Sequence, residues 1–92
     1  MPIGSQLDFL TVILSPVAVG AATCAEQLFT VSGVNTGDRV FVTKPTAQTG
    51  LGIAGARVSA VNQVGINFVN PTAAPITPTA AETYLITVLR NS

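Results

Sequence analysis

The groups able to do chemistry in this chain are few and scattered. Asp8, Glu26, Asp38 and Glu82 are its only acids, Arg39, Lys44, Arg57 and Arg90 its only bases, and there is one cysteine, Cys24, and no histidine. A glycoside hydrolase would have to draw its paired carboxylates from those four acids, and their spacing favours no pair. Cys24 as a nucleophile has no histidine to take its proton, so it reads as a small, partly buried apolar residue. With neither a histidine nor a second cysteine there is no ligand set for structural zinc and no intramolecular disulfide. The adjacent Asp38 and Arg39 read as a turn residue followed by a solvated edge charge, and Lys44 as a charge guarding a strand end. The expectation is a protein that is not an enzyme and carries no cofactor or metal.

One motif formally suggests a nucleotide. Gly50-Leu51-Gly52-Ile53-Ala54-Gly55 matches G-x-G-x-x-G, but that fingerprint needs a helix after the last glycine and an acid about 20 positions on. An alternating strand pattern follows here, and the next acid is the distant Glu82. These glycines are therefore expected in a loop and at the start of a strand, where backbones approach closely.

Composition narrows the partners. The chain has 92 residues, 48% hydrophobic and 9% charged, with a formal net charge of zero, whereas an average soluble domain has about 25% charged residues. Without clustered Lys and Arg there is no electrostatic attraction to nucleic acid or to an anionic membrane. Low charge at zero net charge also predicts poor solubility for a free monomer and fits a surface committed to neighbours. The apolar stretch over residues 9–25 is interrupted by Ser15-Pro16 and has no basic flank, so it reads neither as a membrane span nor as a targeting segment. Ala21-Ala22-Thr23-Cys24 faintly resembles a lipidation box but lacks the positive region before it.

The elements that must position these residues are strands. Over residues 56–70, Val58 and Ala60 alternate with Arg57 and Ser59, and Val64, Ile66 and Phe68 alternate with Gly65 and Asn67. This period of two predicts a hairpin turning at Asn62-Gln63, or through a slightly longer loop, with Phe68 buried. Residues 9–14 and 84–90 are apolar on both faces; the first is expected to be covered on both sides or by a neighbouring subunit, and the second to lie centrally in a sheet. Residues 26–32 and 39–43 are further strands around a turn cluster at 33–38. The prolines at 71, 75 and 78 predict an ordered crossing loop. Phe9, Phe29, Phe41, Phe68 and Tyr84 all fall at core-like phase. Residues 1–8 read as an extended N-terminal arm, with Ile3, Leu7 and Asp8 as candidate contacts to another subunit or other protein partner, and residues 9–92 as the folded domain. Together these features predict an all-β chain, a single small β-sandwich or jelly-roll-like barrel of about seven short strands.

Gly37-Asp38-Arg39-Val40-Phe41-Val42, Gly55-Ala56-Arg57-Val58-Ser59-Ala60, Ile66-Asn67-Phe68, Pro71-Thr72-Ala73-Ala74 and Tyr84-Leu85-Ile86-Thr87-Val88-Leu89-Arg90 carry a family resemblance. In these segments the chain resembles small β-rich bacteriophage virion proteins of the capsid decoration (cement) type, over residues 29–90. The resemblance implies a homo-oligomer, typically a trimer, bound to the major capsid protein on the outer surface of the shell, and it transfers no functional residue. A tail, baseplate or head-fibre module is the nearest alternative. A carbohydrate-binding sandwich for host attachment is the alternative from another class, weakened by the absence of Trp and the single Tyr.

Overall fold

A computed structural model describes the backbone of residues 5–91 and the side chains of residues 7–90. Six strands follow one another: β1 (Ser5–Leu14), β2 (Thr23–Thr30), β3 (Arg39–Thr43), β4 (Gly52–Ala60), β5 (Gln63–Asn70) and β6 (Glu82–Asn91). They form two antiparallel three-stranded sheets, ordered β1-β6-β3 and β2-β5-β4, and the described residues contain no helix. The expected all-β sandwich is therefore present, with six strands where about seven were expected.

The alternating run in β5 is the clearest case of sequence setting structure. Val64, Ile66 and Phe68 are fully buried and face the other sheet, as their spacing requires. The hairpin to β4 closes at Ala60 opposite Gln63, so its two-residue loop is Val61-Asn62, one position earlier than expected. Asn62 takes the positive φ of 60° that a tight hairpin needs and that Asn tolerates well. Its tip is anchored as well: Asn62 Oδ1 accepts from the Gly33 N–H at 3.0 Å, and its own N–H donates to the Val34 carbonyl at 2.9 Å.

β6 is the central strand of the first sheet, as its apolar run predicts. Tyr84, Ile86 and Val88 point inward and are fully or almost fully buried, beside Val40 of β3 and Leu14 of β1. The strand, turn and strand over residues 26–43 do not make a hairpin. β2 belongs to one sheet and β3 to the other, so the turn cluster carries the chain across the sandwich.

The proline-rich segment after β5 is an ordered crossing loop, held by a buried amide. Asn70 Nδ2 donates to the carbonyls of Val19 at 3.0 Å and Ala74 at 2.9 Å, and Oδ1 accepts from Thr72 N–H and Oγ1 at 2.9 and 2.7 Å. Every polar atom of this buried side chain is thereby satisfied, which is the condition for keeping it inside. The glycine motif is the close approach expected: Gly50 has φ of 81°, and a Cβ there would meet Thr72 Cγ2 at 2.6 Å.

The N-terminal boundary lies elsewhere than expected. β1 starts at Ser5 and pairs without a register break from Ser5 opposite Asn91 to Leu14 opposite Glu82. Leu7 and Asp8 thus belong to a strand and not to an arm, while Ile3 lies outside the described residues.

Candidate functional site

The largest chemical feature is the outer face of the β1-β6-β3 sheet. The pairing sets three rows across it: Leu7, Leu89 and Arg39; Phe9, Thr87 and Phe41; Thr11, Leu85 and Thr43. Ile13 continues the face beside Thr83. Leu7, Phe9, Ile13 and Phe41 are 52, 64, 67 and 61% exposed. Four such side chains expose on the order of 500 Å² of apolar surface, as much as the largest patch on a typical monomer. Arg39 is the only charged residue in these rows.

This corrects the core-like assignment of two aromatics. Phe29, Phe68 and Tyr84 pack in or against the core, but Phe9 and Phe41 stand on the open face. The signal was present in β3, where Phe41 shares its parity with Arg39 and Thr43 while Val40 and Val42 occupy the opposite one. In β1 the signal is weaker, because Thr11 marks the outer set while the charged Asp8 falls in the inner one.

The charged residues close the two ends of the sandwich, and β6 supplies one to each. At one end Arg90 donates from Nη2 to Asp38 Oδ2 at 2.8 Å and to the Gly33 carbonyl at 2.8 Å, and its Nη1 lies 3.5 Å from Asp8. The Asn35 N–H also donates to Asp38 at 2.9 Å. Hydrogen bonds from Arg90 first, then from that backbone N–H, hold the Asp38 carboxyl below its ordinary range. Asp38 is the turn residue expected, closing a turn onto the Asn35 carbonyl, but its side chain is only 6% exposed and paired with Arg90. Asp8 faces inward to this cluster while Leu7 faces outward, so the two candidate contacts of the expected arm lie on opposite faces of β1.

At the other end Lys44 lies 2.9 Å from Glu82, both side chains being almost buried. Lys44 also donates to the Thr46 carbonyl and hydroxyl at 2.9 and 3.0 Å, and Thr46 Oγ1 donates to Glu82 Oε2. These bonds, with that of Thr46 the strongest influence, lower the Glu82 pKa. Lys44 is thus a buried partner and not an exposed guard of the strand end. A cavity of about 150 Å³ adjoins it, lined mainly by Gln48, Leu51 and Ile53.

The outer face of the second sheet is mainly polar, with Leu28 as an exposed apolar side chain opposite Gly65. Arg57 of β4 forks onto Glu26 of β2 across Gly65 of β5, beside Asn67, over a shallow depression of about 260 Å³. Cys24 is exposed, contrary to expectation, and its Sγ donates to Asn67 Oδ1 at 3.2 Å. Among the described residues no three His, Cys, Asp or Glu side chains gather where a metal ion could be held. The acids are each engaged by a base, which leaves no free carboxylate pair arranged for acid–base work.

No family model matches this chain, and no curated protein or solved structure matches it significantly.

Proposed function

We propose that this chain is a non-enzymatic structural protein of a bacteriophage particle, a decoration protein that joins with copies of itself and seats on the major capsid protein at the outer surface of the shell. The observation that carries the reading is the open apolar face with Leu7, Phe9, Ile13 and Phe41. A face of this size rimmed by threonines is suited to a large, mostly neutral protein surface, where burying apolar area supplies the driving force. The low overall charge and the sequence resemblance point the same way.

The test is occupancy. In purified particles the protein should be present in many copies over the shell, and Phe41→Lys should fold normally yet fail to load onto shells lacking the protein. A few copies at one vertex would move the assignment to a tail, baseplate or head-fibre module.

A carbohydrate-binding role gains one observation in its favour. Phe9 and Phe41 flank Thr87 in one exposed row, and aromatic faces beside a hydroxyl can stack on a sugar ring. Glycan binding that is lost in Phe9→Ala and Phe41→Ala, with shell loading unaffected, would favour this second reading.

A further inference from the structure

The two sheets have four edge strands, β1 and β3 in one, β2 and β4 in the other. An edge strand offers unpaired backbone groups to any other strand, and proteins blunt such edges with charge, proline, short length, bulges, an inward-pointing charge or a covering segment. Three of the four are blunted here. β3 is only five residues long, begins at the exposed Arg39 and is followed closely by Pro45. β4 has register irregularities between Ile53 and Gly55 and between Val58 and Ala60. β2 has the incoming chain bound against it, since Gln27 donates to the Val17 carbonyl and accepts from the Val17 N–H, both at 2.9 Å.

Among the described residues β1 carries only one of these devices, a single inward-turned charge. It is ten residues long, contains no Pro, Lys or Arg, and pairs with β6 without a bulge. Its one charge, Asp8, is turned inward to Arg90. We infer that two copies of this chain pair antiparallel through β1, merging their three-stranded sheets into one six-stranded sheet with a continuous apolar outer face.

The partner is a second copy because β1 is suited to itself. A two-fold axis at Leu10 sets Leu7 opposite Ile13 and Phe9 opposite Thr11 of the other copy, so the exposed apolar residues of both lie side by side. It also sets Asp8 opposite Val12, which keeps the two acids apart. A ladder of this length supplies about ten hydrogen bonds, the number a typical interface carries. A strip along a strand ~33 Å long buries roughly 500 Å² per copy, near the lower limit for a specific dimer. The pairing is two-fold, so the assembly unit is a dimer and not the trimer that the resemblance implies. The inference rests on the self-assembly in the proposed function but is tested apart from capsid binding.

Sedimentation velocity of the full chain at micromolar concentration should show a dimer. Phe9→Lys/Thr11→Lys sets lysines opposite lysines and should give a monomer. Phe9→Lys/Thr11→Glu sets opposite charges across the axis and should restore the dimer. Phe41→Lys/Thr43→Lys places the same charges on the same face, away from the β1 edge, and should remain dimeric. Circular dichroism checks that each variant is folded. If the β1 variants do not fold, amide exchange in the unmodified chain decides, and exchange over residues 5–14 should slow as concentration rises. A monomer or a trimer, a dimer that survives Phe9→Lys/Thr11→Lys, loss of the dimer in the β3 variant, or exchange independent of concentration would each overturn the pairing. A β1 dimer that loads onto no shell leaves the pairing standing and rejects decoration.

Discussion

Glu26 and Arg57 meet over Gly65, with Arg57 Nε and Nη2 donating to the two carboxylate oxygens at 2.7 and 2.9 Å. The residues belong to the two edge strands of one sheet and reach each other only because the central strand has no side chain beneath them. A Cβ at Gly65 would overlap the Glu26 carboxylate, with Cδ at 2.6 Å. Gly65→Ala is therefore expected to push Glu26 aside and break the fork with little change in melting temperature, since the obstructed group is the end of a flexible side chain. Arg57→Ala should be nearly silent, because the Arg57 side chain is 65% exposed and such a pair contributes little. A large loss for Gly65→Ala would mean that Glu26 cannot move aside.

Phe68 and Phe41 separate burial from residue type. Phe68 is fully buried in the core, and Phe68→Ala is expected to cost about 3–5 kcal/mol in denaturant unfolding. Phe41→Ala, on the open face, should change stability by no more than about 0.5 kcal/mol. A large cost at Phe41 in a monomeric sample would contradict its outward placement.

Tyr84 is fully buried, and its hydroxyl has no hydrogen-bond partner. Burial first, then the nearby Glu82 carboxylate, pushes its pKa up. An unpaired buried hydroxyl costs roughly 1–3 kcal/mol, so Tyr84→Phe is expected to match or exceed the original stability. A clear loss on chemical denaturation would reveal a partner for the hydroxyl, such as an enclosed water.

Asp38 and Glu82 predict the acid limb of stability. Their ordinary values are 3.8 and 4.5, and both are lowered in the folded protein by donated hydrogen bonds. The folded state then binds fewer protons than the unfolded state, so their contribution is complete above those ordinary values and is lost as pH falls through the lowered ones. Melting temperature should be level from neutral pH down to the ordinary carboxylate range and fall below it. Asp38→Asn should melt lower at neutral pH and show a shallower acid limb. An unchanged acid limb in Asp38→Asn would remove the Arg90 cluster as a cause.

Much of the architecture is local and was legible in the residues. The alternation of Val64, Ile66 and Phe68, the positive φ suited to Asn62, and the prolines after Asn70 each act within a few residues, so period and turn chemistry expose them. The scarcity of charge, likewise, follows from composition. Tertiary structure decided which face of β1 turns inward, because a period of two divides residues into two sets without ranking them when both are apolar. It also decided the partners of the charges: Asp38 meets Arg90 across 52 positions and Lys44, next after β3, meets Glu82 of the neighbouring strand, and no local pattern encodes such pairs. The open face and the lightly guarded β1 edge arise in the same way, since exposure depends on what the remainder of the chain leaves uncovered.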